Sequence, residues 1–279
     1  MKIDWHTHSD YSDGKHSLAT LFADAKAAGI THLGVVDHDT TAHHVEGYAL
    51  AKQYDMTFLA GVEISAYDFV RNRKVHLLGY GFTNSCPNIE ALCKPLLARR
   101  HEHSLWQARR IQDAGFPLQL NDALAFSKRS GTLYKQHIME ALLSAPYDSK
   151  DYQTLYRALF KGSGVAAGDI VYIDVFDALA AIHADGGVAV IAHPGQLDSF
   201  DVTNELIDKG LDGIEVLHPD HTEAHRAQAL ALAAQHGLFI TGGSDFHGSY
   251  GAPVSLGQYT MDTLPQKLNS ATHSLQTHT

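Results

Sequence analysis

Seven short apolar runs stand out along the chain: "KIDWH", "HLGVVDH", "TFLAGVEIS", "VHLLGYGF", "GVAVIAH", "GIEVLH" and "LFITGGSD". Several are continuous in Val, Ile and Leu rather than alternating, the pattern of strands covered on both faces in a parallel sheet. Most are followed by helical periodicity. Between the first two, Leu18, Leu21, Phe22 and Ala25 share one helical face, Ser17 is placed to cap it, and Gly29 stands at its C′ position. Similar stretches cover about 42–54, 173–185 and 221–236. Strands alternating with helices predict an α/β architecture, and seven of them suggest a barrel.

The alternation breaks between about 84 and 168. There the pattern is helical throughout, from "IEALCKPLLARRHEHSLWQARRIQDAG" to "YQTLYRALF", and it ends in the glycine-rich "KGSGVAAGD". The expected organisation is a barrel formed by 1–83 and 169–268, a helical insertion at 84–168 over its mouth, and a loose polar tail at 269–279.

Composition narrows the functional classes. The net charge is −10, from 31 acidic and 21 basic residues. A protein that tracks a long nucleic acid shows a basic face, so a small substrate is favoured over a polynucleotide. Two cysteines, Cys86 and Cys93, form neither a disulfide framework nor a Cys-rich zinc site and suit a reducing cytoplasm. No secretory leader pattern and no apolar run of about 20 residues is present, so no membrane partner is expected. The outlier is histidine, with 20 residues scattered through the chain; it is the commonest metal ligand.

The histidines gather at strand ends. His6 and His8 lie two apart, so on a strand they share a face, and Asp13 follows in a Ser-Asp-Gly turn. Taken alone, the pair reads equally well as solvent-facing. The second run delivers His38, the third Glu63, the fifth His193, and the seventh Asp245 and His247. His76 sits near the start of its run and fits the pattern less neatly. Glu63 as a surface acid, His76 as a core histidine and Asp245 as a turn former are reasonable singly. Together they are much harder to sustain. Six histidines and three carboxylates exceed the four-ligand shell of a structural zinc site and suit a cluster of two or three ions.

These residues carry a resemblance. "HTHSDYSDG", "VVDHDT", "GVEIS", the His76 segment, "AHPGQ" and "GSDFHG" are similar to the motifs of the PHP (polymerase and histidinol phosphatase) superfamily over essentially the whole chain. The resemblance implies a distorted (β/α)7 barrel and a trinuclear centre of Mn, Zn or Fe ions, with Mn²⁺ expected first. Its implied ligands are His6, His8, Asp13, His38, Glu63, His76, His193, Asp245 and His247. Nucleotide phosphatases of the group carry an Arg-x-His step where this chain has Lys135-Gln136-His137, which keeps a cation but loses bidentate phosphate recognition. The segment from "SGTLYKQH" to "DVFDAL" is similar to a subgroup acting on a phosphoribosyl cyclic phosphate.

Three divalent ions against three carboxylates leave a positive centre that concentrates a small anion. The expected reaction is in-line attack on phosphorus by a hydroxide held between the ions. His218 is a candidate to protonate the leaving oxygen. Arg99, Arg100, Lys135 and His137 are candidates to grip a second phosphate, although "LLARRHEH" also reads as a solvated helix face. Three functions remain open. One is a small-molecule phosphoesterase, including a cyclic phosphate dihydrolase acting on 5-phosphoribosyl 1,2-cyclic phosphate. The second is a 3′,5′-nucleoside bisphosphate phosphatase or 5′–3′ exoribonuclease, and the third a non-catalytic metal-binding module.

Overall fold

A computed structural model describes residues 1–82, 85–265 and 268; the expected tail at 269–279 lies outside them. Strands β1 (Ile3–Thr7), β2 (His32–Val35), β3 (Thr57–Asp68), β4 (Arg73–Tyr80), β5 (Ile173–Asp174), β6 (Val188–Ile191), β7 (Gly213–Leu217) and β8 (Phe239–Gly242) form one sheet. Its order is β1-β2-β3-β4-β6-β7-β8, with the two-residue β5 added beside β3. The ends nearly meet: Thr7 bridges Phe246 in parallel, and Asp245 N–H donates to the His6 carbonyl at 2.8 Å. The result is an almost closed barrel.

Helices α1 (Leu18–Ala27), α2 (His44–Tyr54), α7 (Val175–Ala184), α8 (Thr203–Asp208) and α9 (Glu223–His236) connect the strands. The first shows how locally the pattern is written. Ser17 accepts from Thr20 N–H, Leu18, Leu21, Phe22 and Ala25 are buried, and Gly29 (φ 74°) and Ile30 return N–H groups to Lys26 and Ala25. Only a residue free to take positive φ closes that Schellman turn without strain.

One strand departs from the parallel pattern. β4 follows β3 through a tight turn and runs antiparallel to both β3 and β6. A run of continuous apolar residues signals burial on both faces but is silent on direction. The five-residue β1 carries a second irregularity, a register shift between Asp4 and Thr7. Consecutive residues Trp5 and His6 therefore both turn inward. Trp5 packs edge-on to Tyr80 at 5.2 Å, whereas His6 lies among carboxylates.

Inside the barrel, Trp5, Leu59, Leu78, Tyr80, Val190 and Ala192 form a dry floor. Outside it, Val62, Ile64, Leu77, Ile191 and Ile214 pack toward the helices with Ile89, Leu179 and Ile182. Alternation along β3 sends Leu59 to the floor and Glu63, two positions beyond Gly61, to the mouth. Between β4 and β5 run α3 (Pro87–Asp113), α4 (Leu120–Phe126), α5 (Lys135–Leu142) and α6 (Lys150–Phe160). They share an apolar cluster of their own around Ile111, Leu133, Ile138 and Leu159.

Candidate metal centre

All nine residues implied as ligands meet at the barrel mouth. Glu63 is the hub: its carboxylate lies 3.1 Å from His6 Nε2, 3.1 Å from His8 Nε2, 2.6 Å from His76 Nδ1 and 2.9 Å from His193 Nε2. Asp245 is 3.3 Å from His6 Nε2, 3.2 Å from His8 Nε2 and 3.5 Å from His247 Nδ1. Asp13 reaches His247 Nε2 at 3.4 Å. The antiparallel course of β4 resolves the position of His76. An early residue of a reversed strand sits at the same end as the late residues of its neighbours, and His76 pairs with Ser65 of β3.

Backbone geometry is bent to make this convergence. His193 (φ 24°), Asp245 (φ 51°) and Asp39 (φ 60°) adopt positive φ beside the centre. Such conformations cost about 1–3 kcal/mol each and persist where the surroundings over-determine them. Gly243 is required by close approach, since a Cβ there would fall 2.3 Å from His6 Cβ.

The electrostatics favour a cation. Glu63 is wholly buried and Asp245 mostly so, yet the surrounding imidazoles hold both well below the usual carboxylate range against that burial. Asp13 is lowered in the same way, by His38 and His247. Conversely, against burial, Asp13 and Asp245 raise His247 to about 10, and Glu215, Asp245 and Glu63 raise His6 well above its ordinary value. His38, where burial prevails, falls to about 4. A field that raises imidazole pKa values this far binds divalent cations in exchange for protons.

The residues fit metal ions by a second criterion. Both ring nitrogens of His8, Nδ1 of His38 and His193, and Oδ1 of Asp13 are buried without a hydrogen-bond partner. Buried polar atoms without partners are costly and uncommon, and the residues that carry these belong to the donor sets gathered at this mouth. Potential donor sets within 4.8 Å of one another include His8/Asp13/His38/His247, His6/His8/Glu63/Asp245 and His38/Glu63/His76.

Supporting residues appear that sequence reasoning did not single out. Glu215, wholly buried on β7, lies 3.1 Å from His6 Nδ1 and accepts His193 N–H at 2.8 Å. It fixes the His6 ring as outer carboxylates fix metal-binding histidines. Asp37 accepts from Ser9 N–H (2.8 Å), Ser9 Oγ (2.6 Å) and Ser12 Oγ (2.6 Å), pinning the loop that carries His8 and Asp13. Gln136 donates to Asp13 at 2.8 Å. A signal for Glu215 was present: an acid between Ile214 and Val216 in a buried strand needs a partner inside the barrel.

The remaining candidates divide. His218 is buried, accepts Asp220 N–H at Nδ1 (3.1 Å) and so presents its Nε2 proton toward Asp245, 3.3 Å away. Arg100 reaches the mouth, donating to Asp39 at 2.8 Å and Ser65 at 2.9 Å. Lys135 is partly covered, with burial first and then Lys74, Lys161 and Arg100 lowering it to about 8 against Asp169. Two depart from expectation. Arg99 turns outward and donates to the Val171 carbonyl at 3.0 Å. His137 is buried with Nδ1 accepting Tyr134 N–H at 3.2 Å, and burial drops it to about 4, so it closes a helix start as a neutral ring rather than gripping an anion.

The motifs and this geometry agree with an independent comparison: the profile of the PHP domain matches residues 4–175. The chain belongs to the PHP domain family. Among curated relatives, the phosphoribosyl 1,2-cyclic phosphate 1,2-diphosphodiesterase of Eggerthella lenta is 45% identical over 92% of this chain and 98% of its own. The 5′-3′ exoribonuclease of Haemophilus influenzae is 31% identical over 88% of this chain and 90% of its own. Among solved structures, a proposed metal-dependent phosphoesterase from Bifidobacterium adolescentis superposes with a TM-score of 0.86 at 29% identity, covering 96% of this chain and 94% of that one. These PHP relatives are hydrolases of phosphate esters by name, and the donor sets here are of the kind such metal-dependent enzymes use.

Proposed function

We propose that this PHP protein is a metal-dependent hydrolase of small phosphate esters that carry a second phosphate, with 5-phosphoribosyl 1,2-cyclic phosphate as the leading substrate. The carrying observation is the joining of two dissimilar features at one mouth. One is the convergence of nine ionisable donors with orphaned nitrogens at its base. The other is a cationic shelf of Arg100 and Lys135 beside it. Three divalent ions, Mn²⁺ first and Zn²⁺ or Fe²⁺ as alternatives, would be held by His6, His8, Asp13, His38, Glu63, His76, His193, Asp245 and His247. Mixed imidazole and carboxylate donors suit all three metals. Such ions supply Lewis acidity toward phosphoryl oxygens and bring the pKa of water to about 7.

The chain's own groups do the rest. Lys135 has no hydrogen-bonding partner among the described residues, although it is partly covered and cationic near neutral pH. An anionic group of the substrate supplies that partner. Arg100, braced by Asp39 and Ser65 and set over the Tyr134 ring at 5.3 Å, fixes the direction of approach. His218 presents an N–H from a buried position and is placed to protonate the departing oxygen. Two waters are consumed: the first opens the cyclic diester to a monoester and a free hydroxyl, and the second releases inorganic phosphate. The identity with the Eggerthella lenta diphosphodiesterase along nearly the whole of both chains favours this substrate over a bisphosphonucleoside or RNA. The reducing cytoplasm expected from cysteine usage suits a phosphorylated intermediate of this kind.

The test is a panel. Protein loaded with Mn²⁺ and checked for bound metal is offered 5-phosphoribosyl 1,2-cyclic phosphate, pentose phosphates, nucleoside bisphosphates and short RNA, with phosphate release measured. The expected result is a preference for the cyclic ester by about tenfold or more in kcat/KM, in line with one lost charged contact. Preference for RNA or the nucleoside bisphosphate replaces the substrate; no turnover of any ester by metal-loaded protein removes the enzyme reading.

A further inference from the structure

The loop that carries Asp13 is held from two sides. On the barrel side its stem is fixed tightly. Ser12 and Gly14 donate their N–H groups to the Ser9 carbonyl at 3.1 and 3.0 Å, and Asp37 accepts from Ser9 and Ser12. Gly14 is packed so closely that a Cβ there would fall 2.4 Å from the His8 carbonyl oxygen. On its far side the loop leans on the helical insertion, through side chains to which the hydrolysis above gives no part.

Three contacts make that second support. The first is Gln136, in the opening turn of α5, whose amide donates to Asp13 Oδ2 at 2.8 Å. Asp13 Oδ1 is left buried without a hydrogen-bond partner, 3.4 Å from His247 Nε2. One carboxylate oxygen is thus occupied and the other is left for a cation. The donor is neutral, whereas a Lys or Arg in its place would bring a charge that repels a divalent ion. The second contact is Lys15. Its N–H donates to the His247 carbonyl at 3.0 Å, and its ammonium pairs with Glu140 of α5. The same ammonium lies 5.2 Å from the ring centroid of Phe126 on α4 and 4.9 Å from that of Tyr250. Lys15 therefore pegs the loop and the turn after His247 to two helices of the insertion. The third is Tyr134, whose hydroxyl donates to the His38 carbonyl at 3.4 Å.

These contacts converge on one donor set. Asp13, His38 and His247 belong, with His8, to a single group of potential ligands. The His6/His8/Glu63/Asp245 group is braced from within the barrel instead, by Glu215 on His6 and His218 on Asp245. Outer partners of this kind orient a ligand and set metal affinity.

We propose that the α4–α5 part of the insertion sets the affinity of one ion position, that of His8, Asp13, His38 and His247, with Gln136 and the Lys15–Glu140 pair as its positioning residues. The inference rests on the metal-dependent reading above. It gives the insertion a second role, since adjacent residues at the start of α5 serve the substrate anion through Lys135 and the metal through Gln136.

The test titrates metal-free, full-length protein with Mn²⁺ and follows the free ion by its paramagnetic resonance, with a thermal melt alongside. Gln136→Met keeps the length of the side chain and removes the donor. One Mn²⁺ equivalent is expected to weaken about 10- to 100-fold while the others hold. Lys15→Met should weaken the same equivalent about two- to fivefold, the scale of a partly exposed ion pair. Glu140→Ala should match it, and Glu140→Gln, which keeps an acceptor for Lys15, should restore most of the loss. Binding of every equivalent as in wild type by Gln136→Met overturns the proposal and leaves the metal reading intact. Weakening of all equivalents together, in step with a lower melting temperature, also overturns it, because a merely structural role does that. A wild type that binds no Mn²⁺ removes both.

Discussion

The barrel mouth is built in two ways. On the strand side, nine side chains arrive from β1, β3, β4 and the loops following other strands, and most are held by more than one partner. Glu63 alone faces five imidazoles, and Glu215 holds both the His6 ring and the backbone of His193. On the helix side, α3 and α5 supply isolated side chains, each with few bonds: Arg100 to Asp39 and Ser65, Gln136 to Asp13, and Lys135 to none among the described residues. The contrast separates what must be rigid from what must discriminate. Cation binding needs many donors fixed at once, whereas choosing a substrate needs only a few groups that await a partner.

Breaking the strand side should have the largest consequences. Asp13→Ala or His193→Ala is expected to lower bound metal and to cut kcat/KM by at least about a hundredfold, because outer partners alone are worth 10- to 100-fold; elemental analysis beside kinetics checks it. Retention of full metal and full rate would mean that the ligand set is misassigned. Glu215→Gln keeps the shape of the side chain and removes its charge, so a smaller loss of about 10- to 100-fold in metal affinity follows, read by chelator competition.

The helix side should fail more gently and selectively. Lys135→Ala is expected to raise KM for a substrate with a second phosphate about tenfold while leaving kcat nearly unchanged, with Lys135→Arg restoring most of the loss. The sign of its pH dependence follows from burial. With its pKa lowered to about 8, Lys135 is charged below that pH and neutral above it, so KM rises as pH climbs through 8. A KM flat from pH 7 to 9 would separate Lys135 from the anion. Arg99→Ala, by contrast, should change kcat/KM less than about twofold, since its guanidinium serves an exposed backbone carbonyl.

Legibility in the sequence followed the same division. The strand ends were readable because most ligands stand at or just after the end of an apolar run, and alternation indicates which face a strand residue takes. The direction of β4 was not, since burial on two faces reads the same in either sense, and this is why His76 looked misplaced. Glu215 was passed over because a partner 209 positions away in β1 leaves no local spacing. On the helix side, periodicity gave the helices but not their orientation over the mouth. Arg99 and Arg100 are neighbours in sequence, yet one serves Val171 and the other Asp39. His137 showed the same limit: its residue type suited an anion, but helix-start geometry turned it to the Tyr134 N–H.

The central claim is that the strand-side donors hold several ions which together make phosphate esters labile. It is tested most directly by titrating metal-free protein with Mn²⁺ and following phosphate release from 5-phosphoribosyl 1,2-cyclic phosphate at each addition. The account predicts that the rate climbs until three equivalents are bound and is abolished again by a chelator. Full rate with no added metal, or turnover that ignores metal content altogether, would contradict it.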